Sequence, residues 1–254
     1  MPLVDICCSS MERYQSFLKN RGICMNTISF YMRILKATYN KAVREGIVDD
    51  RHPFEHVYTG VAKTSKRALS LIQIREIRSM NLSNKWEQLA RDLFLFSFYT
   101  RGMSFVDMAY LRKENLKDGV LHYVRRKTGQ QFSIKWEEQM QVIVERYFVS
   151  GNPFLLPIIK RPGTSERSQY RYSQYKINQS LANIGRQLSF PCILTMYVAR
   201  HSWANIAKSI NIPLNIISEG MGHSSEKMTS IYLKSIEEAK IDSENHKIIS
   251  LINE

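Results

Sequence analysis

Residues 194–235 read LTMYVARHSWANIAKSINIPLNIISEGMGHSSEKMTSIYLKS. Three short elements are written into this stretch. Thr195 is placed to cap a helix reaching about Ile210, with Val198, Trp203, Ile206 and Ile210 as its apolar positions. Pro213 suits the first position of a second helix, which Gly220 and Gly222 break. Ser224 or Ser225 then caps a third, carrying Tyr232 two turns in. Arg200, His223 at a tight turn and Tyr232 nine residues beyond it thus fall on consecutive elements. Side chains so placed can converge on one point.

That trio suits phosphoryl transfer. A tyrosine hydroxyl is a weak nucleophile toward a phosphodiester and needs positive charge and hydrogen bonds on the non-bridging oxygens. Arginine supplies these bidentately and a histidine can complete them. Each residue alone has a plainer reading. Helix, turn and helix with basic residues describes a DNA reader without chemistry. Tyr232 alone is a half-buried packing residue, Arg200 a surface cation and His223 a helix C-cap neighbour.

The combined pattern is more specific. R-H-S-x-A at Arg200–Ala204, G-x-G-H-S-S at Gly220–Ser225 and Tyr232 nine residues after His223 resemble the tyrosine recombinases, the phage integrase family. The likeness is to the integrase and invertase branch carried on mobile elements of gut anaerobes. It covers nearly the whole chain and is most specific over 194–235.

Composition agrees with a polyanionic partner. Thirty-six Lys and Arg against 23 Asp and Glu give a net charge of +13 and a pI near 9.6, with tyrosines interleaved, which favours nucleic acid over membrane. No run of about 18 apolar residues offers a membrane span. The opening MPLVDICCSSMERYQ lacks a basic region and an apolar core for secretion. Cys7, Cys8, Cys24 and Cys192 lack zinc-ligand spacing, and neighbouring Cys7 and Cys8 are poor disulfide partners. Reduced thiols in a bacterial cytoplasm, near the nucleoid, are the expectation.

Residues 9–45 read as two helices. Gly22 ends the first; Asn26 caps the second, with Phe30, Ile34, Leu35, Thr38 and Ala42 as an inward stripe. Residues 1–60 resemble a SAM-like core-binding domain, short at its front; a helical cap on the main domain is the alternative. Residues 61–68 form a linker whose Lys63, Lys66 and Arg67 are expected at the DNA backbone. Residues 69–254 then form the catalytic domain. The expected fold is mostly α with a small β-sheet: a helical SAM-like core-binding domain plus an α+β tyrosine-recombinase catalytic domain with a C-terminal helical tail.

Within that domain Ser70 caps a helix through Ser79, and Asn84 caps another through about Thr100. YTRGMSFVDMAYL follows, where the family reads T-G-L-R-x-S-E-L. Ser104 occupies the slot of the family's first phosphate-binding arginine. Arg101, one helical turn earlier, is the chosen substitute, with Ser104 adding a hydroxyl; Arg125 or Arg126 reaching in from a hairpin is the alternative. Asp107 is expected to hold an arginine or histidine in place.

Residues 119–136 read as two strands around Thr128-Gly129. Lys127 there matches the family's lysine, the general acid for the departing 5′ oxygen. Tyr197 stands where the family's H-x-x-R has its histidine, so the phenol can donate to a phosphate but cannot serve as an ordinary base near neutral pH. His223 and His201 remain as candidates to take the Tyr232 proton. From 160 to 200 seven Lys and Arg face Glu166 alone, with Tyr170, Tyr172 and Tyr175 between them. Ile177, Leu181, Ile184 and Leu188 form a core stripe there, leaving Arg167, Arg171 and Lys176 for DNA.

The resemblance implies a site-specific recombinase for integration, excision or inversion, working through a 3′-phosphotyrosyl link with no metal, ATP or other cofactor. The catalytic set is Tyr232, Arg200, His223, Lys127, Arg101, Tyr197 and Ser104. The partners are double-stranded DNA at specific sites and further copies of the chain in a tetramer, with accessory DNA-bending proteins. The polar tail after Ser235, with Ile248, Ile249, Leu251 and Ile252, docks on a neighbouring subunit or on its own domain. The alternatives are a sequence-specific DNA-binding protein without cleavage and a type IB topoisomerase.

Overall fold

The computed structural model describes residues 2–62, 67–223, 225–230 and 233. Tyr232, Ser224, Lys63, Lys66 and the tail after Ser235 lie outside them. The chain divides into two compact units, 1–65 and 66–254.

In the first unit, helices α1 (Cys8–Asn20) and α2 (Met25–Arg44) share a core of Met11, Leu18, Ile28, Met32, Tyr39, Phe54 and Val57. The inward face of α2 differs from the expected stripe. Ile28, Met32, Tyr39 and Ala42 are buried, while Phe30, Ile34 and Thr38 are exposed. Ile28-Met32-Leu35-Tyr39-Ala42 also has helical spacing, and it meets α1 and the 49–57 turn. Asn26 is not the cap, which is Cys24. Its amide instead clasps the backbone of Ala62, accepting at 2.7 Å and donating at 3.0 Å, while Ser29 Oγ donates to Gly60 O at 2.6 Å. The Tyr39 hydroxyl joins Asp49 O and Arg51 N, closing the turn before Pro53.

The second unit is built on α4 (Lys85–Tyr99). Asn84 caps it by accepting from Trp86 N and Glu87 N. Leu89, Ala90, Leu93, Phe94, Leu95 and Phe96 are all buried, so α4 is apolar nearly all round and takes neighbours on several sides. These are α3 (Leu71–Ser79), α6 (Glu138–Arg146), α7 (Glu166–Gln187) and α8 (Met196–Ser209). Ser70 and Gln73 cap α3 reciprocally. The one buried charge on α4, Asp92, receives Arg91 Nε and the Tyr147 hydroxyl, each at 2.8 Å, and the Arg146 guanidinium. Thus α6 is locked to α4.

A short α5 (Phe105–Ala109) leads into a three-stranded antiparallel sheet: β1 (Leu116–Lys117), β2 (Val120–Val124) and β3 (Gln131–Lys135). The β2–β3 hairpin pairs Leu121 with Ile134 and Tyr123 with Phe132. It turns at Thr128-Gly129, with Gly129 at φ +71°. On α7 the expected core stripe is met, with Leu188 half-buried, and Arg171, Tyr172 and Tyr175 lie on the exposed side. Thr195 precedes α8 but its side chain does not cap it; Asn178 of α7 accepts from Met196 N at 3.0 Å. Pro213 sits one residue before α9 (Leu214–Met221), and α10 covers Glu226–Ser230. Among the described residues no helix is long and apolar enough to cross a membrane.

Candidate functional site

The site is built around the turn Gly220–His223. Helix α9 ends with Gly222 in the left-handed region, and the N–H groups of Gly222 and His223 donate back to Glu219 O and Ser218 O. A side chain at Gly222 is excluded twice over. Its φ is +64°, and a Cβ would stand 2.1 Å from Phe132 Cζ on β3. The hairpin therefore fits closely against the turn that carries His223.

Three arginines meet that turn. Arg200, on α8 and only 6% exposed, donates from Nη2 to Met221 O at 2.6 Å and from Nη1 to Gly102 O at 2.9 Å. Arg125, just past β2, donates to Gly222 O at 3.1 Å. Arg101 Cδ lies 3.7 Å from the point where a Cβ on Gly220 would stand. Arg101 reaches this position because it follows α4 with φ +60°, in a left-handed turn with Gly102 at φ +80°. A non-glycine residue in that conformation costs roughly 1–2 kcal/mol.

His223 closes the cluster. Its Nε2 lies 3.0 Å from Arg200 Nη2 and its Nδ1 lies 2.8 Å from Thr229 Oγ1. A guanidinium only donates, so Nε2 must carry the lone pair and Nδ1 the proton. Burial, then the charges of Arg200 and Arg125, push the imidazole down to about 4, so it is neutral near pH 7.

Other anticipated residues have different employment. Ser104 caps α5 and donates to Asp107 Oδ2 at 2.6 Å, so its hydroxyl proton is engaged within the protein. Asp107 Oδ1 accepts the Arg126 N–H at 2.9 Å and so holds the hairpin rather than an arginine side chain. The Arg126 guanidinium lies over the Tyr110 ring, 4.0 Å from its centre. Lys127 is exposed at the hairpin tip. Tyr197 is exposed and meets His201 edge-on at 4.7 Å. Arg67, Arg167 and Arg171 are exposed and Lys176 is half-buried.

The sequence reading missed two members of the cluster. Thr229, fully buried, fixes the tautomer of His223 and had no signal beyond lying one helical turn into α10. Tyr123 did carry a signal, since strand alternation puts it on the same face of β2 as Leu121 and in line with Arg125.

Residues 1–58 match the family model of the phage integrase SAM-like domain. The fold of the whole chain is similar to that of a lambda integrase dimer bound to a COC′ core site, with 17% identity and a TM-score of 0.67, covering 93% of this chain and 69% of that one. It is similar too to the Tn1549 transposon integrase in complex with transposon right end DNA: 17% identity, TM-score 0.71, 98% of this chain and 87% of that one. XerA recombinase matches at 14% identity and a TM-score of 0.52, over 97% of this chain and 85% of that one. Among curated proteins no sequence match was found. The chain therefore shares the fold of these integrases, mostly α with a small sheet, and its residues 1–58 are a phage integrase SAM-like domain.

Proposed function

We propose that this chain is a site-specific DNA recombinase that breaks and rejoins strands through Tyr232. The observation that carries the reading is the convergence of Arg101, Arg125 and Arg200 on the turn bearing His223. Arg200 and Arg125 beside a neutral imidazole, with Arg101 against the same turn, suit a phosphodiester. The spacing that sets Tyr232 nine residues past His223 supplies the nucleophile.

The chemistry balances without a cofactor. The Tyr232 oxygen attacks the scissile phosphorus and its proton passes to His223 Nε2, whose lone pair is released when Arg200 Nη2 turns from it to the phosphate. The bond from phosphorus to O5′ breaks as Lys127 protonates the departing oxygen. A 3′-phosphotyrosyl link and a free 5′-hydroxyl result, and the 5′-hydroxyl of a partner strand reverses each step. Arg200, Arg101 and Arg125 hold the non-bridging oxygens as negative charge builds. Arg125 joins the set here because its guanidinium reaches Gly222 O, whereas Ser104 is engaged with Asp107.

Duplex DNA would run over Arg67, Arg167, Arg171 and Lys176, with Lys63 and Lys66 at the backbone. Further copies of the chain would assemble on it as a tetramer through the C-terminal tail. An apolar groove lined by Leu69, Leu71, Ile206, Ile212, Leu214 and Ile217 is the surface suited to Ile248, Ile249, Leu251 and Ile252 of a neighbouring copy. Strand exchange between two distinguishable duplexes, each carrying a site selected for binding from a random pool, tests the reading. Recombinant products from paired sites support it. Relaxation of a supercoiled single-site plasmid without exchange would point to a topoisomerase instead.

A further inference from the structure

We propose that Tyr123 is a further substrate-contacting residue, whose phenol donates a hydrogen bond to the phosphate gathered by Arg101, Arg125 and Arg200. The inference rests on the recombinase reading and adds a group to its site. Four observations carry it.

Strand β2 alternates, so Leu121 is buried in the core, Tyr123 is half-buried, and His122 and Val124 are exposed on the other face. Arg125 continues the Tyr123 side and reaches Gly222 O. The ring of Tyr123 is stacked on Phe132, its cross-strand partner, with centroids 5.0 Å apart and planes 13° from parallel. Phe132 in turn abuts Gly222, so the phenol is held in fixed relation to the His223 turn.

The hydroxyl itself is unused: among the described residues none donates to it or accepts from it. Yet charges surround it. Asp107, Arg200, Arg125 and Arg101 all act on it, and Asp107 is already bonded to Ser104 and to the Arg126 N–H. Burial, then Asp107, raises the phenol above its ordinary value, so it stays protonated as a donor. A partly buried tyrosine hydroxyl ordinarily finds an acceptor. Here the acceptor that fits between three guanidiniums is an anionic oxygen, and the substrate's non-bridging oxygen supplies it.

Tyr123→Phe keeps the ring, the stack and the packing and removes one donor. The test uses nicked duplexes whose sequence is selected from a random pool by binding to this chain. The expected result is unchanged affinity, a Tm within about 2 °C of wild type, and covalent adduct formation slowed roughly ten- to a hundredfold. Tyr123→Leu, which removes the stack as well, should lower the Tm. Equal adduct rates for Tyr123→Phe and wild type would overturn this assignment while leaving the recombinase reading intact. No adduct from wild type at any nick position would overturn both.

Discussion

Gly102 packs so closely on Arg200 that a Cβ at this position would stand 2.6 Å from Arg200 Cγ and 2.7 Å from its Cα. The contact joins the end of α4 to α8, and Gly102 O takes the Arg200 Nη1 hydrogen bond. Gly102→Ala adds a clash to a left-handed backbone at φ +80°. We expect a loss of roughly 2–4 kcal/mol in urea denaturation, with DNA cleavage falling further than stability because Arg200 is displaced. A variant of wild-type stability would mean that the turn yields without moving Arg200.

His223 gives a pH signature. Its folded pKa, about 4, lies below its ordinary value of 6.5. Between these values the unfolded chain binds more protons than the folded one, so stability rises with pH from about 4 to 6.5 and levels off above. An NMR titration should find the His223 imidazole neutral down to near pH 5. Thermal melts should show the slope reduced in His223→Asn. A midpoint near 6.5 would contradict the hydrogen-bonding scheme with Arg200 and Thr229.

Two adjacent arginines should behave differently. Arg125 donates to the His223 turn, whereas the Arg126 guanidinium lies over Tyr110 and contributes its backbone N–H to Asp107. Arg125→Ala should slow cleavage about a hundredfold or more. Arg126→Ala, which keeps the backbone bond, should change the rate less than about tenfold and act mainly on affinity. Single-turnover kinetics on a nicked duplex separates the two, and equal losses would remove Arg125 from the phosphate site.

Lys127 is tested through its leaving group. An alkoxide departing from phosphorus needs a proton, whereas a thiolate departs readily without one. Lys127→Ala should therefore slow cleavage roughly 10²–10⁴-fold on an ordinary phosphodiester. A 5′-bridging phosphorothiolate should restore most of that rate. Equal losses on both substrates would assign Lys127 to binding rather than proton donation.

Much of the fold was legible because local chemistry agreed with packing. Ser70 with Gln73, Asn84 before α4 and Thr128-Gly129 in the hairpin each mark a boundary that the structure adopts. Helix α2 was misread because apolar residues at Phe30 and Ile34 compete with those at Ile28, Met32 and Tyr39. Only contact with α1 and the 49–57 turn decides between them. Asn26 and Asn178 show the same limit, since the backbones they bond, at Ala62 and Met196, are remote in sequence. At the site, motif spacing brought out Arg200 and His223. Ser104's commitment to Asp107 is a local S-x-x-D cap at the start of α5, visible in the spacing but passed over for the family's arginine slot. Arg125's reach to Gly222 and the unused hydroxyl of Tyr123 arise from tertiary placement, which no spacing records.

The central claim is tested most directly by covalent trapping. Wild type and Tyr232→Phe are incubated with duplexes selected from a random pool for binding and nicked at successive positions, then resolved on a denaturing gel. The account predicts a protein–DNA band from wild type that vanishes in Tyr232→Phe while binding is kept. No band from wild type on DNA that it binds tightly, or a band that survives Tyr232→Phe, would contradict it.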